Sequence, residues 1–146
     1  MPQNNDLYDK VYDKALKYLD RRAHTYQELF RKLKLKGFDK EVIAEVLDEL
    51  KEKKYIDDLQ FARTFLENLI RYKTFGYYGL VVKLRQRGIE EGAIKELLDE
   101  LLSLENETEI AERLLRKYRN LDKKKTAQIL ARKGFRTEVV RRILNI

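Results

Sequence analysis

Apolar residues recur at spacings of three and four along the whole chain, which is the pattern of helices with one buried face. The first segment shows it at Tyr8, Val11, Tyr12, Ala15, Leu16 and Leu19. No stretch alternates apolar and polar residues as a strand does, and the only proline is Pro2. The pattern therefore predicts an all-α protein.

Three similar segments, KLKLKGF, KLRQRGI and ILARKGF, carry Gly37, Gly88 and Gly134 between a basic stretch and a bulky apolar residue. A glycine in the left-handed conformation ends a helix, and the apolar residue after it folds back on the last turn. Other positions keep the same offsets from these glycines, among them Leu33, Leu84 and Leu130, and Ala15, Ala62 and Ala111. We infer an internal repeat of roughly 45–50 residues.

Each repeat contains three predicted helices, and polar residues mark where several of them begin. Thr25 and Glu28 form a capping-box pattern, and Asp39 and Asp122 are predicted N-caps. Asp57 or Asp58 is expected to cap the first helix of the second repeat. Tyr77, which aligns with Tyr26, is predicted to pack in the core.

The predicted organisation is a disordered N-terminus, residues 1–6, followed by three-helix repeats at 7–56, 57–105 and 106–146. A bundle of this size buries little apolar surface, so neighbouring repeats should dock on one another. Tandem units of this kind form an elongated molecule that can curve.

The chain is strongly charged, with 39% Asp, Glu, Lys and Arg and a net charge of +7. Residues 107–146 hold 12 basic and five acidic residues, so this stretch contains the entire excess. An anionic partner is the functional interpretation, and an ordinary solvated surface is the alternative.

The middle helices of the repeats carry most of the candidate contacts to a polyanion such as DNA. These are Lys32, Lys34, Lys36, Lys83, Arg85, Arg87, Lys123, Lys124, Lys125, Arg132 and Lys133, joined by Arg141 and Arg142 on the last helix. A helix-turn-helix arrangement is an alternative, although few Asn or Gln side chains are present to contact base edges. A helical scaffold for protein partners is a third hypothesis.

The segment RYKTFGYYG places basic and aromatic residues around two glycines. Its exposed side chains can stack on bases or anchor a protein partner. The candidate loop contacts are Arg71, Lys73, Phe75 and Tyr78.

Catalysis and cofactor binding have little support. Cysteine is absent, and the single histidine, His24, adjoins a helix start, where a surface or capping role is expected. No His or Cys cluster has metal-ligand spacing, and no phosphate-binding glycine loop occurs. We expect a protein that is not an enzyme, has no cofactor or metal, and lies in the cytoplasm, since no membrane span or signal peptide is evident.

Several segments in order resemble the bacterial RecX regulatory proteins. They are Arg21-Arg22 with His24, Thr25, Glu28 and Leu29; Leu33 with Lys36-Gly37; Asp57-Asp58 with Phe61-Ala62; and Tyr78-Gly79 with Leu84 and Gly88-Ile89. The resemblance covers about residues 15–90 and weakens towards 146.

The resemblance implies tandem three-helix repeats and a regulator of the RecA recombinase. Such a protein would bind the RecA–DNA filament as a monomer and inhibit filament extension, ATP hydrolysis and recombination, with roles in DNA repair and the SOS response. It would also contact single-stranded and double-stranded DNA. The resemblance implies no catalytic residues. The alternative is a DNA-binding regulator of the helix-turn-helix type that acts independently of RecA.

Overall fold

The computed structural model describes residues 4–146, and these residues form nine helices and no strand. The all-α prediction is therefore confirmed. The helices are α1 (Asn4–Arg21), α2 (Tyr26–Leu35), α3 (Lys40–Glu52), α4 (Asp58–Tyr72), α5 (Tyr77–Gln86), α6 (Glu91–Leu101), α7 (Leu104–Leu115), α8 (Lys123–Arg132) and α9 (Thr137–Leu144).

Polar side chains begin the helices where the sequence predicts them. Thr25 and Glu28 form a complete capping box at α2, and Asp39 and Asp122 accept hydrogen bonds from the first-turn amides of α3 and α8. At α4 the capping residue is Asp57, whose carboxylate accepts from the Gln60 amide at 3.1 Å. Each cap satisfies an amide that the helix itself leaves unpaired.

The three repeated glycines all have positive φ angles, 94° at Gly37, 82° at Gly88 and 81° at Gly134. After Gly37 and Gly134 the amide of the following residue donates back to the helix, from Phe38 to the carbonyl of Leu33 at 3.4 Å and from Phe135 to that of Leu130 at 3.0 Å. These are the helix ends that the sequence predicts.

The contacts divide the chain into two compact units. The first runs to Phe61 and also takes in Arg87–Ile89; the second comprises Ala62–Gln86 and Glu90–Ile146. The division into three repeats stays a prediction.

In the first unit α1 and α2 pack against α3. Its core is Val11, Ala15, Leu29, Leu33, Ile43, Val46, Leu47, Leu50 and Ile56. In the second unit α5 packs against α6, and α7 and α8 pack against α9. Fully buried side chains there include Leu66, Leu80, Leu84, Leu98 and Leu130. Of these, Leu84 and Leu130 align with Leu33 in the inferred repeat.

Two expectations need correction. Residues 4–6, predicted to be disordered, belong to α1, where Asp6 lies in the first turn and favours the positive end of the helix dipole; residues 1–3 lie outside the described residues. His24, for which a surface or capping role is expected, is only 3% exposed, so it is not a surface residue. Its ring is buried because both nitrogens have partners inside the fold, as described below.

Candidate anion-binding interface

The basic residues of α2 differ in how free their side chains are. Lys32 is half-buried, with Nζ 2.7 Å from His24 Nε2 and 5.1 Å from the centre of the Tyr18 ring. Lys34 and Lys36 are exposed and form no ion pair within residues 4–146. The ammonium group of Lys32 is thus bound within the fold, whereas Lys34 and Lys36 are available to a partner.

The proton on His24 can be placed from its two contacts. Nδ1 lies 2.9 Å from the carbonyl oxygen of Arg22, which can only accept, so Nδ1 is the protonated nitrogen and Nε2 accepts from Lys32. Burial lowers the pKa of His24, and the positive charges of Arg22 and Lys32 lower it further, against the opposing effect of the Arg22 carbonyl. The imidazole is therefore held neutral.

Arg87, predicted as a contact for a partner, forms hydrogen bonds within the first unit. Its guanidinium donates to Glu28 at 2.9 Å, and its carbonyl accepts from the Thr25 hydroxyl at 2.6 Å. Burial raises the pKa of Glu28, but hydrogen bonds from the Thr25 amide, Arg22 and Arg87 outweigh it, so the net shift is downward. Glu28 is therefore a stable carboxylate that orders three neighbouring groups.

Arg85 is exposed and pairs with Glu91 through two nitrogens. The hydrogen bonds from Arg85 lower the pKa of Glu91. An exposed pair of this kind contributes little to stability, so an anion can compete for Arg85 at small cost.

The second unit gathers four candidate residues into one surface, which we call the cation–aromatic patch: Phe75, Tyr78, Lys83 and Lys133. The ammonium groups of Lys83 and Lys133 lie 5.0 Å and 4.7 Å from the centre of the Phe75 ring. Tyr78 is 58% exposed, and its amide donates to the carbonyl of Gly134, the residue after Lys133. Two cations and two aromatic rings in one place can bind a phosphate and stack a base.

Close backbone contact brings Lys133 to this patch. The Gly76 amide donates to the Lys133 carbonyl at 3.0 Å, and the Tyr78 amide donates to the Gly134 carbonyl at 2.8 Å. A Cβ at Gly79 would lie 2.5 Å from the Lys133 carbonyl oxygen. Glycine is required at position 79 because the end of α8 leaves no room for a side chain.

Glu107 supports the patch and is not among the site residues predicted from the sequence. Its side chain is fully buried and accepts from the Tyr77 amide at 3.0 Å, the Arg136 amide at 2.9 Å and Arg136 Nε at 2.5 Å. The Arg136 guanidinium also lies 4.7 Å from the centre of the Tyr77 ring. One carboxylate therefore fixes the starts of α5 and α9.

A signal for Glu107 was present in the repeat. Counting four residues back from the aligned Ala62 and Ala111 gives Asp58 and Glu107. In the first unit Asp58 accepts from the Tyr26 amide at 3.0 Å, just as Glu107 accepts from the Tyr77 amide. An acidic residue in this column caps the middle helix of the repeat before it.

The other loop candidates have separate roles. The Arg71 guanidinium lies 5.9 Å from the centre of the neighbouring Tyr72 ring. Lys73 has an exposed side chain, and its carbonyl accepts from Arg113, which also donates to the Ile70 carbonyl at 2.9 Å. Arg113 thereby caps the end of α4 and fixes the start of the loop.

The candidates on α8 and α9 are mostly unpaired. Arg142 lies 3.6 Å from Glu105, and both side chains are exposed. The remaining residues are exposed and have no ion pair in the described part of the chain: Lys123, Lys124, Lys125, Arg132 and Arg141. This basic surface can bind an anion without first breaking internal bonds.

No helix in residues 4–146 has the length and apolar character needed to cross a membrane. No group of three or more metal-binding side chains is found in the same residues.

Comparisons with known proteins give a consistent result. Residues 12–50 match the family model described as RecX, first three-helix domain. Among curated relatives, the regulatory protein RecX of Chlorobaculum tepidum is 35% identical over 137 residues, covering 92% of this chain and 86% of that protein. The RecX of Prosthecochloris aestuarii is 41% identical over 91 residues, covering 62% of this chain and 60% of that protein.

Relatives differ in length, since the match to the RecX of Geobacillus sp. covers 95% of this chain but 54% of that protein, at 32% identity. The solved structure of RecX from Lactobacillus salivarius shares the fold, with a TM-score of 0.85 over 97% of this chain and 96% of that one, at 23% identity. A second solved structure, titled regulatory protein RecX, has the same TM-score at 28% identity, and the match covers 97% of this chain and 74% of that one.

Proposed function

The chain belongs to the family of RecX regulatory proteins, and on that premise we propose that it binds the RecA–DNA filament as a monomer and inhibits filament extension and ATP hydrolysis. It acts by binding and not by catalysis, and it thereby restrains recombination and DNA repair. Its place of action is the cytoplasm, where bacterial filaments of this kind form on DNA.

The observation that carries the proposal is the unpaired basic surface of the second unit. Lys123, Lys124 and Lys125 are exposed at the start of α8 and have no acidic partner in residues 4–146. Lysines that neutralise phosphates release counterions, which gives tight binding that does not depend on base sequence. A regulator of a filament needs this property because the filament covers DNA of any sequence.

The cation–aromatic patch supports a second contact to the same ligand. The ammonium groups of Lys83 and Lys133 both lie near the centre of the Phe75 ring, at 5.0 Å and 4.7 Å, and the nearby Tyr78 is exposed. These ammonium groups attract a phosphate, and a base can stack on Tyr78. Single-stranded DNA offers both groups, whereas in a duplex the bases are already stacked.

Inhibition follows if the chain binds the assembled filament more tightly than free RecA or free DNA. A ligand shifts an equilibrium only by its difference in affinity between the two states. Contacts to two successive RecA protomers, or to protomer and DNA together, exist only in the assembled state. Occupying them at a filament end blocks addition of the next protomer.

The test is RecA ATP hydrolysis on single-stranded DNA, with DNA in excess and the chain titrated in. We expect inhibition at one molecule per many RecA protomers, a ratio at which sequestering DNA has no effect. The variant with Lys123, Lys124 and Lys125 all changed to Glu should inhibit more weakly at the same concentrations. Unchanged hydrolysis with DNA binding retained would refute the proposal and favour a RecA-independent DNA-binding regulator.

A further inference from the structure

The three segments that end the middle helices α2, α5 and α8 form similar turns, which we call the glycine turns: Lys36–Phe38, Arg87–Ile89 and Lys133–Phe135. In each, a basic residue precedes a glycine of positive φ and an apolar residue follows it. Two of these turns are covered by another helix, and the first is not.

The two covered turns make the same contact. The carbonyl of the residue before the glycine accepts a hydrogen bond from the residue that precedes a middle helix. Arg87 accepts from the Thr25 hydroxyl at 2.6 Å, and Lys133 accepts from the Gly76 amide at 3.0 Å. The glycine itself lies against the first turn of the same helix, at Gln27 in one case and Gly79 in the other. A glycine turn therefore fits on the N-terminal turn of a helix.

The first glycine turn offers the same groups with nothing on them. The Lys36 carbonyl accepts no hydrogen bond from the described residues, and a Cβ at Gly37 would have no atom within 4 Å. Phe38 is only half-buried, whereas Ile89 and Phe135 are 6% and 5% exposed. The surface that seats a helix in the other two turns is open here.

Leu35 distinguishes this turn from the other two. It stands two residues before Gly37 and is 80% exposed, the largest fraction among the large apolar side chains of the described residues. The corresponding residues of the covered turns, Gln86 and Arg132, are polar. A partner that covered Leu35 would remove this apolar side chain from water, which favours binding.

We propose that the Lys36–Phe38 turn, with Leu35, binds the N-terminal turn of a helix in a protein partner. By analogy with Thr25 and Gly76, that helix begins after Ser, Thr or Gly. An acidic residue at its third position would pair with Lys36, as Glu28 pairs with Arg87 at 2.9 Å. The exposed side chains of Lys34 and Lys40 extend the positive surface towards such a partner.

A second copy of this chain fits the turn poorly. Of its three middle helices, α2 and α5 are already occupied by glycine turns. The remaining start, at α8, carries Lys123, Lys124 and Lys125, which would repel Lys36. Of the other helices described, only α7 follows Ser, Thr or Gly, and the Ser103 hydroxyl already donates to Asn106 at 2.6 Å. The partner is therefore a different protein, and resting on the proposed function we assign this contact to RecA within the filament.

The experiment measures binding of the full chain to RecA–single-stranded DNA filaments. Gly37→Asn keeps the left-handed backbone, which asparagine tolerates, and adds a side chain to the docking surface. Leu35→Gln gives the open turn the residue found at Gln86. Gly134→Asn is the control: it makes the same substitution at a covered glycine turn, where the added Cβ would meet the backbone of Gly79.

We expect Gly37→Asn and Leu35→Gln to melt within a few degrees of the wild type but to bind filaments at least about tenfold more weakly. Gly134→Asn should instead lower the melting temperature. If the wild type binds and both turn variants bind within about twofold of it, the inference is overturned and the proposed function stands. If the wild type itself does not bind filaments, the proposed function and the inference both fail.

Discussion

Replacing Glu107 with alanine should strongly destabilise the second unit. Glu107 is fully buried and accepts three hydrogen bonds, one from the Tyr77 amide and two from Arg136. The substitution leaves two amides without acceptors and the guanidinium without a counter-charge. The Arg136 side chain, 21% exposed, cannot turn fully to solvent while its ring contact with Tyr77 is kept.

The expected loss in the free energy of unfolding comes mainly from the buried donors that lose their acceptor, and less from the net stabilisation that the hydrogen bonds contribute. Each unsatisfied buried donor costs about 1–3 kcal/mol, and breaking a buried charged pair from one side costs about 3–5 kcal/mol. These terms overlap because water can reach part of Arg136. We therefore expect a loss of about 3–5 kcal/mol in the free energy of unfolding.

Urea unfolding followed by circular dichroism measures this difference, with Glu109→Ala as the matched control. Glu109 lies on the same helix and is exposed, so its replacement should change the free energy of unfolding by no more than about 0.5 kcal/mol. Asp58→Ala removes one hydrogen bond, donated by the Tyr26 amide, and should cost about 1 kcal/mol. A loss below about 1 kcal/mol for Glu107→Ala would refute the capping role assigned to this carboxylate.

Leu84→Ala should cost about 2–5 kcal/mol in urea unfolding, since Leu84 is fully buried, and an unchanged midpoint would contradict its place in the core. His24, the only histidine, should titrate below its ordinary pKa of about 6.5 in an NMR titration. Because the unfolded chain then binds the proton more readily, stability should fall as pH drops below about 6.5 and level off below the folded pKa, whereas His24→Asn should remove this component. Changing Lys123, Lys124 and Lys125 to Glu should weaken single-stranded DNA binding without lowering the melting temperature. The slope of log affinity against log salt concentration should become shallower by at least about 2, because each lost phosphate contact removes about 0.7. An unchanged slope would exclude these lysines as phosphate contacts.

Local sequence patterns predicted the helices and their ends because the responsible contacts lie within a few residues. The Thr25–Glu28 capping box, the Asp122 cap and the glycine ends each depend on one turn of chain. The core residues could be predicted equally well, since the spacing of the apolar residues determines which helix face is buried.

The availability of the basic residues could not be predicted in this way, because it depends on residues far apart in sequence. Arg87 is bound to Glu28, and Lys83 and Lys133 share the Phe75 ring. A charge count treats all of these residues alike. Lys123–Lys125 remain unpaired in residues 4–146, so the charge excess of the last stretch did indicate an available surface.

The column that holds Asp58 and Glu107 lies between these cases. Its position was visible in the repeat, four residues before the aligned alanines, but its role required the structure. An acidic residue near the start of a helix is usually taken as a partner for that helix's own amides. Here each carboxylate instead caps the middle helix of the preceding repeat, at Tyr26 and Tyr77.

The affinity for RecA–single-stranded DNA filaments, compared with that for the same DNA without RecA, tests the central claim most directly. Both should be measured for the full chain at one salt concentration, because phosphate contacts depend on salt. We predict that the filament is bound at least about tenfold more tightly, a difference of about 1.4 kcal/mol that comes from contacts to RecA itself. Equal affinities, or tighter binding to bare DNA, would contradict the claim that this chain regulates the filament by binding its assembled form.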